Sequence, residues 1–264
     1  MEPNEYDSFD RVIRDFLVQN ERDFKNGHTD NDWWYASSLG MCRRKNFFRR
    51  LNIPETGTKR TRDRVAAQEG NAGHEWREKA AHKMGVLIAS EGSLRDPESR
   101  YSGRFDILAL LRTKPVLVDI KTQKSKAFEF RAKKPLEKKI EQHQKMQLAS
   151  YIYFIRKLKQ CEITKADGTK VMFQIDCADE LKEGRIYYCD RGEGVREEYA
   201  IEFNDSHFEK VVEELNFLND HWADERFPKI AKRDWQCNFC PYAETCALVE
   251  AHGLVRVNDL KKLQ

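Results

Sequence analysis

Between Arg104 and Lys121 (RFDILALLRTKPVLVDIK) the apolar positions fall into two short runs on either side of a polar interruption. The first is Ile107 to Leu111. The second is Val116-Leu117-Val118, which leads into Asp119-Ile120-Lys121. Runs of this length predict two strands joined by a tight turn, here at Thr113-Lys114-Pro115. In a strand, residues i and i+2 share a face. Asp119 and Lys121 therefore project together from an exposed strand edge, and Ile120 points to the core. The hairpin can bring Asp106 alongside them.

The rest of the chain is patterned around this hairpin. Phe9, Val12, Ile13, Phe16 and Leu17 recur at helical spacing and predict an N-terminal helix. Asn26 to Asp32 is turn-rich, and Trp33-Trp34-Tyr35 begins the next element. Ser37-Ser38 reads as a helix start, with Leu39, Cys42, Phe47 and Leu51 following before the break at Pro54 to Thr58. A long helix is predicted over Arg62 to Lys83, carrying His74 and Trp76 and stopped by Gly85. Val86-Leu87-Ile88 reads as a first strand. Pro135 to Lys159 is the strongest helical pattern. Further strands are predicted at Val171 to Ile175, Arg185 to Cys189 and Tyr199 to Phe203, with a turn at Arg191 to Gly194. A last helix runs from Phe208 to Trp222. There is no internal repeat. The alternation predicts a mixed α/β domain over residues 33–264, preceded by a helical extension, residues 1–32.

Composition narrows the class. The 264 residues are 40% hydrophobic and 34% charged, so the chain is globular but polar. No apolar stretch approaches about 18 residues, so no membrane span is expected. The acidic N-terminus lacks an apolar secretory region, and the expected compartment is the cytoplasm. There the 7 cysteines read as ligands or buried thiols rather than disulfides. The net charge of +3 is uninformative, but its distribution is not. Basic residues concentrate between Lys121 and Lys145, at Arg43-Arg44-Lys45 with Arg49-Arg50, and at Lys59 to Arg64. Three such runs favour a polyanionic partner.

Two carboxylates and an ammonium on one strand edge suit a hard divalent metal and a phosphodiester. Thr122 to Arg131 follows directly and carries Lys124, Lys126 and Arg131, with Phe128 and Phe130 between them. Such a segment either tracks a single strand, with its aromatics stacking on bases, or anchors a loop to the core. Near the C-terminus Cys237, Cys240 and Cys246 make C-x2-C-x5-C. Three thiolates ask for a fourth ligand, and Cys42 is the best candidate. Four thiolates serve a [4Fe–4S] cluster or zinc equally well. Cys161, Cys177 and Cys189 read as core thiols. A metal group joining Cys42 to Cys237 would constrain the chain by roughly 5 kcal/mol in the chain-entropy picture.

The ordered set is specific where its pieces are not: Cys42 in SLGMCRRK, His74 on a helix, Gly103-Arg104-Phe105-Asp106, Asp119-Ile120-Lys121, Gln147-x3-Tyr151, and the cysteine triplet. From about Trp33 to Cys246 the chain resembles the RecB-type PD-(D/E)XK nucleases that carry an iron–sulfur cluster. Among these it is most like the CRISPR-associated Cas-four exonuclease family. The resemblance implies an α/β restriction-endonuclease-like core, a mixed sheet flanked by helices, with a [4Fe–4S] cluster joining the N- and C-terminal segments. It implies that His74, Asp106, Asp119 and the carbonyl of Ile120 hold Mg²⁺ or Mn²⁺, and that Lys121 orients or activates the attacking water. Gln147 and Tyr151 would position the scissile strand and the lysine. Cys42, Cys237, Cys240 and Cys246 would bind the cluster.

The implied activity is exonucleolytic trimming of single-stranded DNA ends for CRISPR spacer acquisition, with a CRISPR integrase complex as partner. The chain is longer than a compact member of that family, with extra strands around Lys170 to Phe203. Standalone phage or repair nucleases of the RecB type carry the same motifs and stay open as an alternative. So does a DNA-end-binding adaptor that docks on an integrase or helicase. The complete set Asp106, Asp119 and Lys121 favours the enzyme, because an adaptor has no need of all three.

Overall fold

A computed structural model describes residues 32–55, 74, 76–165, 167–190, 196–230, 237–238 and 240–261. The predicted N-terminal helix, most of the predicted helix ahead of His74 and the Arg191–Gly194 turn lie outside these residues. In chain order the strands are β1 (Trp34–Tyr35), β2 (Leu87–Asp96), β3 (Tyr101–Leu111), β4 (Lys114–Gln123), β5 (Gln160–Thr164), β6 (Lys170–Gln174), β7 (Glu183–Asp190) and β8 (Arg196–Glu202). The helices are α1 (Arg43–Arg50), α2 (residues 76–83), α3 (Ser125–Ala132), α4 (Leu136–Lys139), α5 (Gln142–Leu158), α6 (Asp205–Ala223), α7 (Ala243–Ala251) and α8 (Val257–Lys261).

The strands form one mixed sheet in the order β6-β5-β2-β3-β4-β7-β8, with β1 added in parallel to the start of β3. Only β4 and β7 pair in parallel along the main path. The hairpin joining β3 and β4 turns at Arg112 and Thr113, one residue earlier than predicted. Both take positive φ (47° and 68°), the two-residue geometry that matches strand twist. Pro115 lies inside β4, ahead of its first pairing with β7 at Val116, where its missing N–H forfeits no bond to β7.

The register decides where the chemistry sits. The β3–β4 ladder runs from Leu111↔Lys114 to Ile107↔Val118 and stops. Beyond that point β3 takes β1 as neighbour (Trp34↔Tyr101), while β4 stays with β7 as far as Gln123↔Asp190. The sheet forks at Asp106 and Asp119.

The larger core lies under α5. Leu148, Ile152, Phe154 and Ile155 are buried there, and Phe154 stacks on Tyr101 with centroids 3.7 Å apart. Val211, Leu215 and Leu218 of α6 extend the same core. A second, smaller cluster joins Ile107, Ala109, Ile120 and Cys189. Arg77 of α2 sits over the Tyr187 ring at its margin.

The Pro135–Lys159 helix is split. Ile140 is extended (φ −104°, ψ 124°), and Glu141 opens α5 through a capping box with Gln144. The helix start at Ser37-Ser38 is likewise corrected. Ala36–Ser38 is a single 3₁₀ turn, Gly40 takes φ +73°, and α1 begins after Cys42. A Cβ on Gly40 would stand 3.1 Å from Met146, so glycine lets this segment approach α5. β2 is far longer than its apolar start at Val86–Ile88, and α3, β5 and α7 have no counterpart in the sequence pattern. Cys161 and Cys189 are buried and Cys177 half-buried, as expected of core thiols. Among the described residues no helix is long and apolar enough to cross a membrane.

Candidate active site

The fork leaves backbone groups without ladder partners, and one carboxylate answers. Asp106 Oδ2 accepts the Ile120 N–H at 2.6 Å, a bond that bridges the strands just where their pairing ends. Asp106 therefore faces β4 beside Asp119. Burial pushes the Asp106 carboxyl well above the usual carboxylate range. The charge of Asp119 adds to this, and Lys121 and the Ile120 N–H oppose it.

Asp119 is 2% exposed, which corrects its placement on an open strand edge. Lys121 Nζ lies 2.8 Å from Asp119 Oδ2, an ion pair by distance, yet that buried oxygen accepts no hydrogen bond. The two facts differ because the approach is close but poorly directed for a hydrogen bond. Lys121 Nζ donates instead to Gln147 Oε1 at 3.1 Å, and Gln147 Nε2 donates to Tyr151 Oη at 2.9 Å. Gln147 and Tyr151 are one turn apart on α5 and thus share its sheet-facing side. Burial, then Asp119, raises the Tyr151 phenol well above its ordinary value, so it stays neutral. A Cβ at Gly103 would lie 2.6 Å from Tyr101 Oη and 2.9 Å from the Tyr151 ring. Glycine there allows Tyr151 to lie against β3.

His74 Nδ1 is 3.6 Å from Asp106 Oδ1. Burial lowers the imidazole below its usual value, which favours the neutral form that binds metals. His74 and Asp106 share their position with a residue that the sequence pattern did not single out, Glu91 of β2. Among the described residues, His74, Glu91 and Asp106 are the group whose ligand atoms all lie within 4.8 Å of one another. Asp119 stands outside that mutual group, though its charge acts on both His74 and Asp106. Ile120 is buried in the small apolar cluster with Ile107, Ala109 and Cys189. Glu91 gave no sequence signal because it sits in a strand with no motif; only the β2–β3 register puts it opposite Asp106.

This donor set fits a hard divalent ion. Carboxylates and a neutral imidazole suit Mg²⁺ or Mn²⁺, and Asp119 contributes a buried oxygen with no hydrogen bond.

The segment after Lys121 is helix α3. Phe128 is buried and Phe130 is 68% exposed, with Lys134 Nζ 5.4 Å from its ring centre. Arg131 is not available to a backbone phosphate. It is buried, stacks 3.5 Å over Tyr188, and donates to Gln123 Oε1 and the Lys139 carbonyl. It fastens α3 to β4 and β7. Lys124 and Lys126 remain exposed.

The cysteines lie at the meeting of α1 and α7. Arg44 Nη1 reaches Cys246 Sγ at 3.6 Å and Glu250 Oε1 at 3.3 Å, while Arg44 Nε donates to the Pro228 carbonyl. Phe48 packs against both Phe227 and Tyr242. Burial raises the Cys246 thiol, with Arg44 opposing and Cys42 close enough to add to the shift. Cys42 is exposed; Cys237, Cys240 and Cys246 are half-buried. Among the described residues no three of these sulfurs lie mutually within 4.8 Å.

Residues 24–247 match the family model PDDEXK_1, described as the PD-(D/E)XK nuclease superfamily. Among solved structures, the crystal structure of SSO0001 is 18% identical at a TM-score of 0.54, over 90% of this chain and 98% of that one. An alkaline exonuclease from Laribacter hongkongensis, LHK-Exo, is 11% identical at a TM-score of 0.44, over 74% of this chain and 89% of that one. No curated protein matches.

Proposed function

This chain belongs to the PD-(D/E)XK nuclease superfamily, and on that premise we propose that it is a Mg²⁺- or Mn²⁺-dependent DNA exonuclease acting on single-stranded ends. The observation that carries the reading is the fork itself. It gathers Asp106, Asp119, Lys121 and His74 where the strands part, the arrangement phosphodiester hydrolysis needs.

A bound divalent ion would polarise the phosphoryl oxygen and lower the pKa of water. His74, Asp106, Asp119 and the Ile120 carbonyl would hold it. Lys121 supplies a fixed positive charge beside the phosphate, where negative charge develops during in-line attack. Gln147 accepts from that ammonium and fixes its direction; Tyr151 fixes Gln147. Lys121 is therefore a catalytic residue, and Gln147 and Tyr151 are positioning residues.

Single-strand preference is supported by α3, which follows Lys121 and presents Phe130 between exposed lysines. An exposed ring with basic neighbours suits base stacking along a charged backbone. The cysteines are proposed to hold a [4Fe–4S] cluster, supported by their spacing and by the packing of α1 on α7. The cluster closes the domain and takes no part in hydrolysis. Trimming of ends for CRISPR spacer acquisition beside an integrase complex in the cytoplasm is the biological setting proposed.

The test is nucleotide release from matched single-stranded and blunt duplex oligonucleotides in Mn²⁺, with and without EDTA. Faster release from single strands, abolished by EDTA, is expected. Equal rates on both substrates would remove the single-strand claim. Release that persists in EDTA would remove the metal claim.

A further inference from the structure

Strand β7 carries two tyrosines in a row, and consecutive residues of a strand point to opposite faces. Tyr188 belongs to the larger core, and the Arg131 guanidinium of α3 lies 3.5 Å over its ring. Tyr187 packs against the smaller cluster, and the Arg77 guanidinium of α2 lies 5.6 Å over its ring. Arg131 and Arg77 therefore bring α3 and α2 to opposite faces of β7. They do so at one level of the sheet, because Tyr188 pairs with Lys121 and Tyr187 with Ile120.

On the α2 face, Trp76 is 46% exposed. A lone exposed apolar ring is ordinary, but this one is accompanied. The Arg77 guanidinium lies 4.5 Å from its ring centre and the Arg196 guanidinium 5.5 Å. The two arginines come from different elements, α2 and the start of β8, and Arg196 is exposed. Register ties this cluster to the catalytic end of the sheet. Arg196 pairs with Cys189, and Cys189 pairs with Thr122, the residue after Lys121. Trp76 follows His74 by two residues, and His74 Nδ1 lies 3.6 Å from Asp106 Oδ1. Packing explains Arg77, which joins α2 to Tyr187. It does not explain an indole left nearly half in water. Guanidinium groups beside an exposed indole can take a phosphate while the ring takes a base.

We propose that Trp76, with Arg77 and Arg196, is a base-stacking subsite for a nucleotide of the substrate strand, on the face of the sheet away from α3. Phe130, 68% exposed with Lys134 beside it, offers a comparable surface on α3. A single strand crossing the fork is then gripped on both sides of the scissile phosphate. Stacking uses the π-face that every base has, so Trp76 adds affinity without sequence preference. The inference rests on the nuclease reading for its substrate, but its measurement needs no hydrolysis.

The experiment uses the full chain in EDTA and two end-labelled strands of equal length, an oligothymidylate and the same backbone with every base removed. Binding is followed by label anisotropy and by tryptophan fluorescence. Oligothymidylate should quench the wild-type fluorescence, and the abasic strand should not. Trp76→Ala should bind oligothymidylate at least about fivefold more weakly, the effect of losing one stacked base. Its affinity for the abasic strand and its log–log salt slope should stay at the wild-type values. Arg196→Ala should instead lower the magnitude of that slope by about 0.7, as for one phosphate contact. Wild-type affinity for oligothymidylate in Trp76→Ala would overturn the proposal. Equal losses on both strands would also overturn it, because they mark a structural role. Trp76→Phe should keep most of the affinity and lose quenching, and it carries the test should Trp76→Ala not fold. Undiminished quenching in Trp76→Phe would again overturn the proposal. Release assays in Mn²⁺ separate the two claims. Base-dependent binding through Trp76 without hydrolysis would defeat the nuclease reading alone. Hydrolysis with binding indifferent to Trp76 would defeat this inference alone.

Discussion

The two ligand-rich regions of this molecule are built in opposite ways. At the fork, the groups hang on adjacent strands whose register is set by the sheet. Asp106 is tied to the Ile120 N–H, and its neighbours His74 and Glu91 already stand within 4.8 Å. At the other end, the cysteines come from segments roughly two hundred residues apart, held together by Arg44 and a few aromatic rings. No three of their sulfurs are gathered among the described residues. The first region is preorganised and costs the fold something, because it buries Asp119 and partly desolvates Asp106. The second would need the proposed cluster to close it and would gain stability when occupied.

The sharpest way to break that contrast is to remove the cysteines proposed as ligands. Cys42→Ser should lower unfolding stability by up to about 5 kcal/mol, the chain-entropy value for cross-linking that span. It should also bleach the visible absorbance of anaerobically purified protein as fully as Cys240→Ser. Denaturant melts with parallel iron analysis decide. Unchanged iron content would take Cys42 out of the set, and stoichiometric zinc in a colourless protein would replace the cluster but keep the ligands.

At the fork the expected loss is catalytic. Lys121→Ala should slow nucleotide release by about 10²–10³-fold, the usual effect of deleting one charge-stabilising donor. Mn²⁺ affinity should be retained. Full activity in the purified variant would sink the assignment.

A smaller effect sharpens the claim that the fork is costly. Asp106→Asn keeps an acceptor for the Ile120 N–H but removes a half-buried carboxylate whose pKa is raised by desolvation. In EDTA the variant should melt higher, by about 1 kcal/mol, while losing cleavage. A lower melting temperature would show that the carboxylate supports the metal-free fold.

The smallest effect concerns DNA. Lys124→Ala with Lys126→Ala should reduce the salt dependence of single-strand binding. The log–log slope should fall in magnitude by about 0.7 for each phosphate no longer neutralised. Arg131→Ala should act differently, destabilising the protein because Tyr188 would no longer be covered. An unchanged slope in the double variant would dissociate α3 from the DNA path.

Much of this was legible along the chain. The strands around Asp106 and Asp119, the helix carrying Gln147 and Tyr151, and the cysteine spacing all rest on local patterning. Apolar runs and i, i+4 spacing are written into neighbouring residues. Lys121, Gln147 and Tyr151, expected to act together, are joined by hydrogen bonds.

Other features arise only from long-range pairing. The parting of β3 and β4 depends on β1 taking one strand and β7 the other, and no window of sequence contains all four. The burial of Asp119 follows from that parting, as does the opposition of Glu91 to Asp106 across the β2–β3 ladder. Arg131 reads as an exposed cation in sequence, yet Tyr188 and two acceptors brought by the fold make it a buried staple. Local sequence therefore determined the β3–β4 hairpin, most of α5 and the chemistry they carry, while α3, β5 and α7 left no local pattern. Tertiary structure decided which charges leave water, because desolvation depends on what the sheet brings to each side chain from far along the chain.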